Sequence, residues 1–142
     1  MSTPYSDIFI KYSVLVTDSE LLSVLDDEEY TELLELFLSK SKSIYFKSCS
    51  KNLSDVDIAA QKFNQTLTEE EMWLLAECMK LVWYEKQLFK ENNLRDKIGS
   101  KDYSRHSPGN LLDKLTMLKK DTEKSLKDKI VDYSFNEFSG FN

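Results

Sequence analysis

The run that most restricts what this chain can fold into lies at its middle. Between Met72 and Tyr84, 11 of 13 residues are apolar, and only Glu77 and Lys80 are not. The run follows Leu67-Thr68-Glu69-Glu70-Glu71. Thr68 can accept from the backbone N–H three residues on, Glu71 can reach back to Thr68, and Leu67 can pack on Met72. This is a capping box with a hydrophobic staple, which opens a helix. A helix that is apolar almost all round must be covered on several sides. The expected fold is therefore all-α: a helical bundle around a buried central helix that runs from Glu69 to about Asn92.

The remaining segments would supply the covers. Ile8, Phe9, Tyr12 and Val16 recur at helical spacing between Tyr5 and Val16, predicting one or two helical turns docked on the rest. Thr17-Asp18-Ser19-Glu20 and Asp26-Asp27-Glu28-Glu29 are two further start signals, with acids suited to the helix dipole. After the second, Tyr30, Leu33, Leu34, Phe37, Ser41 and Ile44 predict a helix from about Asp27 to Phe46. Ser48 to Asn52 reads as a turn, and residues 53–66 as a short helix or a loop. Asn92 to His106 is polar, a loop or a broken helical stretch. Ser107-Pro108 then offers a cap followed by proline at the first helical position. The helix it predicts runs to about Ile130, with Leu111, Leu112, Leu115, Leu118, Thr122, Leu126 and Ile130 on a narrow stripe. Val131, Tyr133 and Phe135 next alternate with polar residues, and Phe138 and Phe141 follow. They predict an aromatic C-terminal arm over residues 131–142 that folds back on the core or reaches, extended, onto a neighbour. The length of 142 residues predicts one helical domain, with 131–142 as its candidate arm.

Composition mainly removes enzymes. One His and two Cys exclude nearly every all-protein zinc site, which needs four such ligands. His106 has no acid–base pattern beside it, and a triad needs a base held in reach of a nucleophile. The acidic clusters Asp26–Glu29 and Glu69–Glu71 read as helix starts rather than metal ligands. Glycine-rich phosphate loops, EF-hand loops and GxSxG are absent. No catalytic residue, cofactor or metal is therefore expected. Cys49 and Cys78 stand in no CxxC pattern and read as free thiols in a reducing compartment. No apolar run reaches the roughly 18 residues of a membrane span, and the N-terminus lacks the pattern of a signal peptide.

Charge is uneven. Residues 1–75 hold 6 basic and 14 acidic side chains, and residues 76–142 hold 13 and 11. An acidic and a slightly basic half of this kind read first as an aid to solubility; the alternative is head-to-tail packing, which closes into a ring or grows into a filament. The lysines after residue 113 alternate with acids, as on a solvated face rather than a nucleic-acid site. Trp73 and Trp83 lie roughly 80° apart around the central helix, so one can enter the core while the other meets a partner. The candidate contact residues are Trp73, Trp83, Tyr133, Phe135, Phe138 and Phe141.

The order of motifs over about residues 5–135 resembles a known family. It runs Leu67-Thr68-Glu69-Glu70-Glu71, Leu75-Ala76, Met79, Trp83, Asn93-Leu94 and Ser100-Lys101-Asp102-Tyr103. Ser107-Pro108-Gly109-Asn110-Leu111-Leu112 and Asp132-Tyr133-Ser134 follow. This is similar to the small all-helical head–tail connector (adaptor, head-completion) proteins in the neck of tailed bacteriophages, from whose pattern Gly109 and Leu111 depart. The resemblance implies a virion structural protein without enzymatic activity, made in the host bacterial cytoplasm and placed in the virion neck. It further implies a homo-oligomeric ring that meets the portal protein and tail or neck proteins. DNA would pass through its channel without specific binding, and no membrane is involved. The alternatives are another phage structural or assembly protein (a tail or baseplate component, or a chaperone), a helical adaptor for one partner, and a small hydrolase using His106.

Overall fold

The structure, a computed structural model, describes residues 2–16, 27–106 and 111–138. The start signal at Thr17–Glu20, Asp26, the Ser107-Pro108 cap and Phe141 lie outside the described residues, as do the side chains of His106 and Phe138. The chain is mostly helical, as expected. A short strand β1 (Thr3–Pro4) leads into α1 (Tyr5–Leu15). Helix α2 (Asp27–Lys40) ends in a π-helical turn, Ser41–Tyr45, where the buried Ser41 hydroxyl donates to the Phe37 carbonyl at 2.7 Å. Strands β2 (Val56–Asp57) and β3 (Lys62–Phe63) come next. Helix α3 spans Glu69–Ile98, α4 Ser100–His106 and α5 Leu111–Phe138.

Helix α3 is the axis of the packing. Its start is the capping box read from the sequence: the Glu71 N–H donates to Thr68 Oγ1 at 3.1 Å, and the Thr68 N–H to Glu71 Oε1 at 2.8 Å. Leu67 and Met72, the staple pair, are both buried. Helix α5 packs along one side of α3, and α1 and α2 cover others. The Leu75, Ala76, Cys78 and Met79 side chains are wholly enclosed. Aromatic rings join the layers edge to face, Tyr12 with Phe37 at 6.2 Å and Phe46 with Tyr133 at 5.1 Å between centroids.

Helix α1, with 11 residues, makes about three turns rather than one or two, and three further expectations change in detail. Residues 53–66 form neither a helix nor a plain loop. β3 pairs antiparallel with both β2 and β1, in the order β1-β3-β2. Thr3 completes the seam: its hydroxyl donates to the Gln65 carbonyl at 3.1 Å and accepts from the Leu67 N–H at 2.8 Å. A pairing between residues about sixty positions apart leaves no local periodicity to read. The central helix also runs past Asn92 to Ile98, stops at Gly99 with φ at 86°, and resumes as α4. Tyr103 of α4 is buried and its hydroxyl donates to the Glu91 carboxylate at 2.9 Å, which holds the broken stretch against α3.

The third change concerns the C-terminal arm, which over residues 131–138 is no extended arm but the last turns of α5. Leu126, Ile130 and Tyr133 follow at spacings of four and three, so they continue the buried stripe. The apparent alternation of Val131, Tyr133 and Phe135 is one part of a 3.6-residue period. Tyr133 is fully enclosed, which takes it off the list of contact residues.

The main core stops short of the hairpin's far end. It reaches Val82 on α3 and begins at Leu126 on α5. Beyond those points the two long helices and α4 continue as an outer hairpin around Tyr103, Leu115 and Thr122. With roughly 1.5 Å of rise per residue, that part of α3 extends about 24 Å past the core.

Truncation after Ile130 therefore removes a core side chain rather than a free tail. We expect a lower urea midpoint for the truncated chain. Leu75→Ala should cost about 2–5 kcal/mol by leaving a cavity, and Thr68→Ala about 1 kcal/mol by removing a cap, both read from chemical unfolding.

Candidate functional site

The densest polar chemistry in the molecule surrounds Glu71, whose side chain has no exposed surface. The carboxylate receives donors from three separate segments. Thr68 supplies its N–H to Oε1 from the helix start. Tyr133, from the last turns of α5, donates its hydroxyl to Oε2 at 2.5 Å. The 49–51 loop supplies the Ser50 hydroxyl at 3.2 Å, the Cys49 thiol at 3.5 Å and the Lys51 ammonium at 3.3 Å. The Tyr133 oxygen in turn accepts from the Ser50 N–H at 2.9 Å. The loop, the start of α3 and the end of α5 are thus joined through one side chain.

This arrangement fixes the protonation of its members. Burial pushes the Glu71 carboxyl up, but the Thr68 N–H, the Tyr133 hydroxyl and the Lys51 ammonium together outweigh it and hold the group below its ordinary value of 4.5. Burial and the bond to Glu71 raise the Tyr133 phenol, so it keeps its proton as a donor. Burial, with Glu71 beside it, pushes the Cys49 thiol up to about 11, far from thiolate formation at neutral pH. The carboxylate's acceptor positions are filled and the thiol is protonated, so the cluster offers neither a free base nor a nucleophile. Cys78 is buried and its thiol is likewise raised by burial.

The residues expected to make contacts divide. Trp73 is 39% exposed at the base of α3, with the Lys11 ammonium 5.3 Å from its ring centroid. Trp83 is half-buried against the core, its ring edge to face with Tyr84 at 5.3 Å. The wholly enclosed Tyr133 belongs to the Glu71 cluster. Phe135 lies on the outer side of α5, 71% exposed. The structure does not bring the described ones among these residues together into one site.

It places other apolar side chains on the surface that the sequence reading passed over. Leu36 stands off the buried Leu34–Phe37–Leu38 face of α2, beside Ile58 of the β2–β3 loop. Both line a groove of about 480 Å³ with Tyr5, Val56, Glu32 and Glu35. Glu28 continues the acidic rim. Phe89 falls two heptads after Leu75 and one after Val82, both buried, yet is itself exposed. It lies on a face of α3 whose cover ends before the outer hairpin begins. Leu36 carried a usable signal, as an apolar residue off its stripe. Phe89 carried none, because its spacing is that of a core residue.

Among the described residues no group of His, Cys, Asp and Glu is placed to hold a metal ion, and no helix is long and apolar enough to cross a membrane. Comparisons with protein-family models, curated proteins and solved structures find no match for this chain.

The Glu71 cluster makes stability depend on pH in a definite direction. The folded carboxyl binds its proton less readily than the unfolded one, so its contribution is complete above pH 4.5 and is lost as the pH falls below it. Glu71→Gln should flatten that acid limb in unfolding curves. It should also cost roughly 2–4 kcal/mol at neutral pH, since an amide nitrogen would face a donor. Tyr133→Phe, which strands the Ser50 N–H and removes one donor, should cost about 1–3 kcal/mol.

Proposed function

We propose that this protein is a non-enzymatic virion component of a tailed bacteriophage, a ring-forming connector subunit between head and tail. The observation that carries the reading is the outer face of α5. Met117, Val131 and Phe135 are 64%, 61% and 71% exposed, and they fall within roughly 40° of one another around the helix. The opposite face carries Leu115, Leu126 and Tyr133, which are buried. A helix with apolar side chains on two opposite faces, only one of them covered by its own chain, suits a subunit that completes its packing on a neighbour. Lys124 and Asp128 interleave with the outer residues, as at the polar rim of an interface. The order of motifs and the all-helical fold agree with the connector reading, and the filled carboxylate cluster supports a chain without catalysis.

In this role α5 would meet an adjacent subunit, the portal or a tail protein. DNA would cross the ring without specific contacts, and the acidic balance of the chain would leave the wall weakly repulsive.

The full chain should form a ring-sized species in light scattering over a concentration series, alone or on isolated portal from the same phage. It should also be present in purified mature particles by mass spectrometry. Met117→Asp with Phe135→Asp should raise the concentration needed for assembly about tenfold or more, with the fold retained. A chain that stays single in both settings and is missing from mature particles sinks the proposal. Presence in assembly intermediates alone would point to a chaperone instead.

A further inference from the structure

We propose that the groove beside α2 receives the Phe89 face of α3 from a second copy of this chain, joining copies head to tail. This rests on the ring reading above and names a contact that would build the ring. The two faces are opposite in charge and alike in having an apolar centre. On the groove side, Glu28, Glu32 and Glu35 follow at spacings of four and three along α2, with Leu36 and Ile58 exposed beside them. Glu35 and Asp57 both act on the Tyr5 hydroxyl at the groove's edge, after burial the main reasons its proton is held more tightly. The basic member of the lining, Lys42, donates to the Leu53 carbonyl at 3.3 Å and lies 5.8 Å from the centre of the Phe63 ring.

On the other side, Lys86, Lys90, Asn93 and Lys97 follow at spacings of four, three and four along the outer part of α3, all exposed. Phe89 borders this row, its direction about 60–100° around the helix from the three lysines, and Asp96 and Glu85 are the acids within about 40° of it. Glu85, one turn before Phe89, is bound by Lys40 at 3.0 Å and by the Tyr45 hydroxyl. A ridge of lysines along one side of an aromatic ring thus matches a groove of glutamates beside two aliphatic side chains. Leu36 and Phe89 are 68% and 69% exposed in the same molecule, so the chain does not close this contact on itself. Because the two faces differ, the contact is heterologous and repeats from copy to copy until a ring closes.

The test uses full-length Leu36→Asp and Phe89→Asp, followed by sedimentation velocity beside the unmodified chain, alone and on isolated portal. Both positions are exposed, so thermal melts should stay near that of the unmodified chain. Each variant alone should need at least about tenfold more protein to assemble. Mixed, the two should stop at one-to-one dimers, since one intact ridge meets one intact groove and both remaining faces are disabled. Glu32→Lys with Glu35→Lys should block assembly in the same way, and adding Lys86→Glu with Lys90→Glu to that chain should restore it. Variants that assemble like the unmodified chain, or a mixture that stays monomeric, overturn the contact while ring assembly by the unmodified chain leaves the connector reading standing. An unmodified chain that is single in every setting removes both.

Discussion

A buried carboxylate joins three separate segments of this molecule. Glu71 caps the helix to which it belongs, accepts the Tyr133 hydroxyl from the far end of the chain, and anchors the 49–51 loop through Ser50 and Lys51. A charge without solvent is tolerable only when its acceptor sites are filled. Here each neighbour offers a hydrogen and none competes as an acceptor for the same position. The last turns of α5 are therefore helical and docked rather than loose, because leaving the carboxylate would strand it. The close contact of Tyr133 with Phe46 adds an apolar component to the same lock.

The chemistry at this centre and the surfaces around it have different roles. The cluster is closed, with its acid held ionised and its thiol held protonated, and it ties three segments together. What the molecule presents outward is apolar side chains set among charges on α2, on the outer half of α3 and on α5. The outer hairpin follows from the same geometry. The core ends near Val82 on α3 and Leu126 on α5, while both helices continue. Residues whose spacing would bury them in a larger domain then stand in solvent. A ring of copies is one arrangement that would cover them.

Several parts of this architecture were legible from local chemistry. Leu67–Met72 announced both the start of α3 and its cap, because each partner lies within one helical turn of the other. The apolar run to Tyr84 announced a helix covered on several sides. Other parts were not. The β1-β3-β2 sheet joins Thr3 to Phe63, and no window of sequence holds both strands. The Val131–Phe135 segment looked extended because two of its apolar positions share a helix face and the third points the opposite way. Glu71 itself was read as a cap, which it is; its second partner, Tyr133, is 62 positions away.

The sequence by itself determined where the main helices begin and which residues share a face, because a capping box and an apolar period are set between near neighbours before the chain is compact. Only the tertiary structure decided which faces those elements hide. Tyr133 and Phe135 are two residues apart and equally aromatic, yet one is enclosed beside a carboxylate and the other is 71% exposed. Leu75, Val82 and Phe89 repeat at one spacing along one helix, and the third is bare because its cover has ended. Burial depends on where other segments stop, and that is a property of the assembled chain rather than of any stretch within it.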